Sequence, residues 1–395
     1  MVDSVLIIGA SVAGVGAANE LRRCGFSGKI TLVDWQVHLP YDRPPLSKGA
    51  LYGQDTLPDL QFHDQDHYAR TNIDLQLGTA AKMLDLDTRT VLLDSGQRLT
   101  ADRIIVATGA RARPFPADRC TGTVHLLRDL DDATRLRTLL RPGKRLVVIG
   151  GGFIGAEVAS TAVGLGVNVV VIEAARLPFE RVLGSQVAAR LASLHVQAGV
   201  ELLCGVSVER VESWGCGQRV FIAGDVRMDA DVVVAGLGSL PNVEWLASSG
   251  LEISNGILCD EQGKTGSLGI FAAGDVAAWR DPFNGQHVRH EHWTAAREQA
   301  RIVAQSISGG VVTPWRDFVP YFWSDLYGIR LQMLGSAVDA DDIRIVHQDE
   351  EKRAFVVEYR KAGELTGVVG SNAGARTMRY ASKLARNPVN VGSDA

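Results

Sequence analysis

The sequence predicts an α/β protein with two Rossmann-like dinucleotide-binding units, followed by a C-terminal α+β domain. Residues 5–34 and 146–173 each have the pattern of a strand, a glycine turn, a helix and a second strand. From residue 313 the character changes to clustered aromatic residues, alternating strands and a terminal helix. A chain of 395 residues is also too long for one core, so two or three domains are expected.

The unit at residues 146–173 is the clearer of the two. A continuous apolar run at 146–149 is typical of a parallel strand buried on both faces. Gly150, Gly152 and Gly155 supply G-x-G-x-x-G, which permits a tight turn, the approach of a pyrophosphate and close helix packing. A helix at 156–165 and a strand at 167–172 follow. Glu173 ends that strand, where a carboxylate can bind a ribose diol. The pattern therefore predicts dinucleotide binding over a purely structural glycine turn.

The unit near the N-terminus repeats this arrangement. After a strand at 5–8, Gly9 and Gly14 frame the turn, and Ser11 takes the middle position, where its hydroxyl can donate to a phosphate oxygen. A helix to about residue 24 and a strand at 29–33 follow, and Asp34 ends the strand. Two units in one chain predict two dinucleotides, a flavin and a nicotinamide, between which hydride passes. The alternative is a duplicated fold with one inactive site.

Composition excludes several classes of protein. The net charge of −4 gives no case for nucleic acid, and no apolar run reaches membrane-spanning length. The five cysteines are scattered without a C-x-x-C pair, which argues against a metal or iron–sulfur site and predicts a reducing cytoplasm. The segment between Cys24 and Cys120 holds no cysteine, so electrons cannot pass from a flavin to a dithiol there. An acceptor outside the chain is expected.

Several shorter segments complete the predicted fold. A meander is expected at 80–99, a strand at 104–106, a helix at 129–140 and a strand at 232–235 with an exit loop at 236–242. A short strand runs into Gly274 and Asp275, whose carboxylate can accept from a ribityl hydroxyl. Thr294 is the expected N-cap of a helix at 295–307, whose N-terminus would face the flavin and favour negative charge there. Strands at 343–347, 354–359 and 365–370 precede the terminal helix.

At this point the motifs resemble the flavin-dependent ferredoxin reductases of bacterial oxygenase systems. The segments that carry the resemblance are GASVAG, PYDRPPLSK, ATGARARP, VVIGGGFIGAE, GLGSLPN, IFAAGDVA, the R-x-E-x-W-x-x-A pattern at 289–296 and PYFWSDLYGIRLQ. The resemblance covers essentially the whole chain. It implies a glutathione-reductase-like arrangement: an FAD-binding domain at 1–112 and 240–313, an NAD-binding domain at 113–239 and a C-terminal α+β interface domain at 314–395.

Fingerprints and resemblance together assign the cofactor-binding residues. Those expected to bind FAD are Gly9, Ser11, Val12, Ala13, Gly14, Asp34, Trp35, Arg43, Lys48, Ala81, Ala107, Thr108, Gly109, Arg128, Gly274, Asp275, Glu291, Trp293 and Trp323. Those expected to bind the nicotinamide dinucleotide are Gly150, Gly152, Ile154, Gly155, Glu173 and Gly238.

Catalytic roles are implied by the resemblance for Lys48, Glu157 and Phe153. Lys48 would lie near flavin N5, and Glu157 would hold its charge and contact the nicotinamide amide. The alternative is a pair of ordinary surface charges. Phe153 is either an aromatic gate for nicotinamide or core packing. Trp323 lies near the exposed flavin edge, where the iron–sulfur protein docks, or else in the core.

The first unit departs from the family at the end of its second strand. Trp35 and Gln36 occupy the usual acid positions, so the acid at Asp34 is offset by one or two residues. Trp35 could instead pack on the adenine.

Smaller patterns concern metals, docking and nicotinamide choice. His290 and His292 form half a metal site at most, and polar residues at a turn explain them better, so no metal is expected. One basic stripe is expected on a helix, formed by Arg376, Arg379, Lys383 and Arg386. This stripe is either a solvated helix face or a docking patch for an acidic ferredoxin. Arg297 and Arg301 form a rival patch. Glu173 favours NADH over NADPH, although Arg176 follows closely.

The predicted function is transfer of electrons from NADH through FAD to a small two-iron ferredoxin. That ferredoxin would feed a bacterial oxygenase, either a Rieske dioxygenase or a haem monooxygenase. A rubredoxin is a close variant of the acceptor. Two alternatives stay open: reduction of a small molecule such as a quinone or radical, and a redox signalling role like that of apoptosis-inducing factor. The compact C-terminal region speaks against the last.

Overall fold

A computed structural model of the chain describes residues 2–53, 57–223 and 226–385. The first glycine unit lies in a parallel sheet, whose strands in spatial order are Ile270–Ala272, Arg103–Val106, Ser4–Ile8, Lys29–Asp34 and Ile73–Leu77. Strand Ser4–Ile8 pairs with a neighbour on each side, and its apolar residues are buried, as the continuous run predicts. This sheet therefore joins strands from both sides of the second nucleotide unit.

The second glycine unit forms its own parallel sheet. Its strands in spatial order are Glu201–Cys204, Asn168–Glu173, Arg145–Ile149 and Val232–Ala235. Leu146, Val147 and Val148 are fully buried, because helices and hairpins cover both faces of the strand. Helix Phe153–Gly164 connects the central strands and packs beside them.

Strands of smaller sheets extend both nucleotide-binding units, and they pair antiparallel except that Gly256–Cys259 lies parallel to Ala277–Arg280. They are grouped, in sheet order, as Ala81–Asp85, Thr90–Leu93 and Arg98–Thr100; Val208–Trp214, Gly217–Ile222 and Val226–Ala230; Ser239–Pro241 and Ala110–Ala112; and Ile253–Ser254, Gly256–Cys259, Ala277–Arg280 and His287–Arg289.

The C-terminal region forms an antiparallel sheet. Its strands in spatial order are Tyr321–Leu326, Ile329–Gly335, Glu364–Ser371, Ala354–Lys361 and Asp342–Asp349. Leu331, Val357 and Tyr359 share one hydrophobic cluster with Leu183 and Val187 of helix Glu180–Gln197. The sheet therefore packs directly on the second glycine unit.

The helices are short in the connecting segments and long beside the parallel sheets. They are Val12–Arg23, Gly49–Tyr52, Leu57–Leu60, Gln65–Arg70, Leu130–Leu139, Phe153–Gly164, Glu180–Gln197, Trp293–Ser308, Gly374–Met378 and Ala381–Leu384, with 3-10 turns at Pro44–Ser47, Ala117–Arg119, Glu244–Leu246 and Trp315–Asp317. Within the described ranges, each helix falls short of a membrane span in length or in apolar character.

The predicted fold class is confirmed, with local corrections. Thr294 is not an N-cap: the helix begins at Trp293, and the Thr294 hydroxyl donates to the Tyr321 carbonyl at 2.5 Å. The terminal helix is divided into two short segments with Arg379 and Tyr380 between them. The first strands of the C-terminal sheet form a hairpin around Tyr327 and Gly328, which the sequence analysis did not place.

Candidate active site

Both glycine turns are closed by contacts that leave no room for a side chain. Gly9 has a φ of +108° and Gly150 a φ of +100°. A Cβ atom would lie 2.2 Å from the Ala107 carbonyl oxygen at Gly9 and 2.4 Å from the Gly236 carbonyl oxygen at Gly150. Each turn is thus packed against the loop that leaves a neighbouring parallel strand, as a nucleotide site at the carboxyl ends of strands requires.

Gly152 differs from the other glycines of its turn. A Cβ atom there would meet nothing within 4 Å, so the space in front of helix Phe153–Gly164 is open. Ser11 holds the same position before helix Val12–Arg23. A helix N-terminus with open space before it can bind a phosphate through its backbone N–H groups.

The acids at the ends of the second strands have matching environments. Asp34 accepts from the Ala10 amide at 2.6 Å and the Gln36 amide at 2.9 Å. Glu173 accepts from the Gly151 amide at 2.7 Å and the Ala175 amide at 2.8 Å. Each carboxylate therefore fixes its own glycine turn.

Asp34 is accordingly the structural counterpart of Glu173, despite the offset in the sequence motif. Trp35 is 56% exposed and Gln36 is buried, so neither side chain takes the place of that carboxylate.

A basic cluster surrounds Ser11. Arg43 donates to the Ser11 hydroxyl at 3.3 Å and to the Arg128 carbonyl at 2.7 Å, and Arg128 pairs with Asp275 at 2.8 Å. Burial, together with the nearby Arg128, lowers the pKa of Arg43. The Arg128 Nε atom is buried and has no hydrogen-bond partner in the described part of the chain. Clustered guanidinium groups with an unused donor fit the pyrophosphate of FAD.

An ion pair links the segment after the first unit to the helix of the second. The Lys48 ammonium nitrogen lies 2.8 Å from Glu157 Oε2, and Glu157 is only 4% exposed. The same oxygen accepts from the Ser47 hydroxyl at 2.5 Å, and Oε1 accepts from the Ser324 hydroxyl at 2.6 Å and the Asp325 amide at 3.3 Å. These donors compensate a buried charge that would otherwise be costly.

Phe153 begins the helix that carries Glu157. Its ring centroid lies 5.0 Å from that of Phe179 and 4.8 Å from that of Phe322. The side chain is half-buried, and Phe322 in turn stacks with His292 at 5.3 Å. Phe153 therefore has aromatic neighbours from its own unit and from the C-terminal sheet.

Aromatic residues gather where the C-terminal sheet meets helix Trp293–Ser308. Trp293 donates its indole N–H to Asp42 at 2.8 Å, and burial raises the pKa of that carboxyl. Trp323 lies edge-on to Trp293, with ring centroids 6.1 Å apart, and stacks on Tyr321 at 6.0 Å. The Arg297 guanidinium lies 4.9 Å from the Trp293 ring centroid. A positive charge thus adjoins this cluster.

The other residues expected to bind FAD or nicotinamide lie on loops and strand ends. Thr108 and Asn242 exchange hydrogen bonds of 2.9 and 2.8 Å, and the Gly274 amide donates to Gln299 at 2.8 Å. Glu291 is occupied by Arg289 at 2.5 Å and by Ser239 at 2.6 Å. The others occupy helix starts, strand ends and turns: Val12, Ala13, Ala81, Gly109, Ile154 and Gly238.

The two histidines before the long helix both have lowered pKa values. Burial lowers the pKa of His290 to about 3, with a contribution from His292, and burial also lowers the pKa of His292. In the described ranges, no group of three or more histidine, cysteine or acidic side chains is placed to hold a metal ion.

The expected docking charges fall into separate groups. Arg376 and Arg379 are exposed at the first short terminal helix, Lys383 is exposed on the next, and Arg386 lies outside the described residues. Arg301 pairs with Glu298 and donates to Thr313, whereas Arg297 lies over Trp293. Of these expected docking residues, Arg297 directly adjoins the Trp293–Trp323 cluster.

Sequence reasoning missed the hydroxyls that hold Glu157. Ser47 and Ser324 lie 110 and 167 residues from Glu157, and no local pattern marks a serine that bonds across domains. Gln299, which accepts from the Gly274 amide, was missed for the same reason.

Comparison with known proteins matches both parts of the chain to family models. Residues 3–300 match the pyridine nucleotide-disulphide oxidoreductase model, and residues 321–394 match the reductase C-terminal model. The chain is 35% identical to the ferredoxin–NAD(+) reductase component of a biphenyl dioxygenase system from Paraburkholderia xenovorans, covering 100% of this chain and 96% of the relative. It is 36% identical to a rubredoxin–NAD(+) reductase from Pseudomonas putida, covering 91% of this chain and 93% of the relative.

A solved structure has the same fold over nearly its whole length. The covalent putidaredoxin reductase–putidaredoxin complex superposes with a TM-score of 0.91 at 34% identity, covering 98% of this chain and 94% of the matched chain.

Proposed function

Since the chain belongs to the pyridine nucleotide-disulphide oxidoreductase family, we propose that it is an NADH-dependent FAD enzyme that reduces a small two-iron ferredoxin of a bacterial oxygenase system. The observation that carries the proposal is the Lys48–Glu157 ion pair, which joins the two nucleotide units at 2.8 Å. Bound FAD would accept a hydride from NADH and would deliver single electrons to the iron–sulfur protein.

The first unit holds FAD by its phosphates and hydroxyls. Arg43 and Arg128 offer guanidinium donors beside Ser11, where the helix N-terminus adds backbone N–H groups. Asp34 binds the adenosine ribose, because it occupies the place that Glu173 occupies in the other unit. Asp275, already oriented by Arg128, accepts from the ribityl chain.

The second unit binds NADH in preference to NADPH. Glu173 accepts hydrogen bonds from the ribose hydroxyls and would repel a 2′-phosphate. Arg176, which could attract that phosphate, pairs with Glu180 in this structure. Gly152 leaves space for the pyrophosphate before the helix N-terminus.

Lys48 and Glu157 fix charge at the junction of the two units. Both side chains are held in place, Lys48 by the Pro44 carbonyl at 3.1 Å and Glu157 by serine hydroxyls. Hydride transfer needs positioning rather than a general acid or base, so a rigid ion pair serves it. Phe153, one turn before Glu157 on the same helix, covers the nicotinamide position and moves aside when NADH binds.

The acceptor docks at the Trp293–Trp323 cluster. Arg297 places a positive charge there, and Arg376, Arg379 and Lys383 extend basic character over the C-terminal helices. An acidic ferredoxin would be attracted to such a surface, which raises its rate of association. We also propose a cytoplasmic location, because none of the five cysteines, all within the described ranges, forms a disulfide.

A rubredoxin is the second candidate acceptor. The relative from Pseudomonas putida that is named for rubredoxin is as similar to this chain as the relative from a dioxygenase system. A small one-iron protein with an acidic surface could use the same cluster.

Turnover with a panel of acceptors tests the proposal. The purified FAD-loaded protein would be supplied with NADH and, in turn, a two-iron ferredoxin, a rubredoxin, a quinone and ferricyanide. We expect the ferredoxin to give the highest kcat/KM among the biological acceptors. Higher efficiency with rubredoxin would select the second candidate. High turnover with the quinone alone would contradict both, and negligible turnover with every acceptor would favour a signalling role.

A further inference from the structure

The strand Tyr321–Leu326 presents different residues on its two faces. Side chains alternate along a strand, so Tyr321 and Trp323 share one face and Phe322, Ser324 and Leu326 the other. Trp323 contacts Trp293 on the first face. Ser324 and Leu326 are buried on the second face, with exposures of 1% and 2%.

The buried face lies along helix Phe153–Gly164. Phe322 contacts Phe153, and the Ser324 hydroxyl donates to Glu157 at 2.6 Å. One residue beyond the strand, the Tyr327 amide donates to the Ser160 hydroxyl at 2.7 Å. Positions 153, 157 and 160 are spaced by four and three residues, so they share one face of the helix. The strand therefore holds the helix at successive turns.

Glu157 depends on this contact for one of its oxygens. Ser47 and Lys48 occupy Oε2, whereas Oε1 is held by Ser324 and, at the longer distance of 3.3 Å, by the Asp325 amide. The carboxylate is buried, so water cannot readily replace a missing donor. Without the Ser324 hydroxyl, the short hydrogen bond to Oε1 is lost, and only the longer contact with the Asp325 amide holds that oxygen.

We propose that Ser324 is a positioning residue for hydride transfer, acting through Glu157. Its hydroxyl fixes the orientation of the Glu157 carboxylate, which in turn fixes Lys48. The neighbouring residue, Trp323, belongs to the cluster at which the acceptor is proposed to dock. Adjacent residues of one strand therefore contact the proposed docking cluster and Glu157. This inference rests on the proposed function, since it assumes reduction of bound FAD by NADH.

The test compares Ser324→Ala with Ser371→Ala in the FAD-loaded protein. Ser371 is a matched control because it is fully buried in the same sheet, and its hydroxyl donates instead to the Arg353 carbonyl at 3.0 Å. Stopped-flow reduction would be followed over a range of NADH concentrations. We expect Ser324→Ala to lower the limiting rate constant about tenfold, with the apparent Kd for NADH within about twofold of wild type, and Ser371→Ala to leave both unchanged.

Hydrogen exchange supplies a readout that does not depend on activity. Amides of helix Phe153–Gly164 should exchange faster in Ser324→Ala than in wild type, and at the wild-type rate in Ser371→Ala. An unchanged limiting rate in Ser324→Ala, or unchanged exchange of that helix, would overturn the inference while leaving the proposed function intact. Failure of NADH to reduce the wild-type flavin would instead contradict the proposed function itself.

Discussion

The Lys48 ammonium nitrogen lies 2.8 Å from a carboxylate oxygen of Glu157, although the two residues are 109 positions apart in the sequence. Lys48 follows the proline-rich segment after the first nucleotide unit, and Glu157 lies on the helix that opens the second. The contact places one charged group from each unit at their junction. Under the proposed function, FAD and NADH would therefore bind on either side of an ion pair whose carboxylate is buried.

Replacement of Glu157 by Gln removes the charge while keeping the size of the side chain. We expect FAD to remain bound and the limiting rate of reduction by NADH to fall up to about 100-fold, the scale of a misplacement near the reacting groups. Stopped-flow absorbance of the flavin measures this rate. Glu201→Gln is the control, because Glu201 is exposed and pairs with Arg145 at 3.4 Å. Equal rates of flavin reduction in Glu157→Gln and Glu201→Gln would contradict a role of the Lys48–Glu157 ion pair in hydride transfer.

Replacement of Glu173 by Ala should weaken NADH binding. Hydrogen bonds to a charged group contribute about 1.5–3 kcal/mol, so we expect the Kd for NADH to rise about tenfold or more, while NADPH binding improves. Titration of the FAD-loaded protein with each nucleotide measures the change. Glu201→Ala is the control for general loss of charge, because Glu201 is exposed and pairs with Arg145 at 3.4 Å. Unchanged NADH affinity in Glu173→Ala would leave the preference for NADH without a basis.

Retention of FAD by variants tests whether Asp34 or Trp35 contacts the adenosine part of FAD. Asp34 accepts amide hydrogen bonds as Glu173 does, whereas Trp35 is largely exposed. We expect Asp34→Ala to lose FAD during gel filtration and Trp35→Ala to retain most of it. The ratio of flavin to protein absorbance gives the occupancy. The reverse order would assign the adenosine contact to Trp35.

Because His195 is buried, we expect the free energy of unfolding to decrease in acid. His195 is fully buried and accepts a hydrogen bond from Tyr327 at 2.7 Å or donates one to it, and burial lowers its pKa from 6.5 to about 4. Above pH 6.5 His195 is largely unprotonated in both the folded and the unfolded state, so its contribution to stability is fully present. As the pH falls from 6.5 toward 4, only the unfolded state binds the proton, and the free energy of unfolding decreases by up to about 3 kcal/mol.

Urea denaturation across this range would measure the decrease. His195→Gln should lose less stability between these pH values than wild type, and His287→Gln, at an exposed position, should follow the wild type. An identical pH dependence in His195→Gln would contradict the prediction.

The nucleotide units could be predicted from the sequence because their pattern is local. A glycine turn such as that at Gly150 requires a positive φ, a following helix and an acid at a fixed distance, all within about 30 residues. The hairpin at Tyr327 and Gly328 also had a local signal in the sequence, namely Gly328, because both turn residues adopt a positive φ and glycine favours that conformation. The surrounding aromatic residues obscured it.

Contacts between distant segments could not be predicted in this way. Thr294 has the chemistry of an N-cap, but its hydroxyl binds a carbonyl of the C-terminal sheet, which only the tertiary fold brings near. Ser47 and Ser324 converge on Glu157 for the same reason. The position of the acid in the first unit is offset by one or two residues in the sequence motif. The hydrogen bond from the Ala10 amide shows that Asp34 is the structural counterpart of Glu173.

The central claim is that electrons pass from NADH through FAD to an iron–sulfur protein. Anaerobic stopped-flow mixing tests it most directly: the FAD-loaded protein is first mixed with NADH, and the reduced protein is then mixed with an oxidised two-iron ferredoxin. We predict rapid bleaching of the flavin by NADH, much slower bleaching by NADPH, and recovery of the flavin absorbance that is accelerated by ferredoxin in proportion to its concentration. No bleaching by NADH, or recovery at the same rate with and without ferredoxin, would contradict the account.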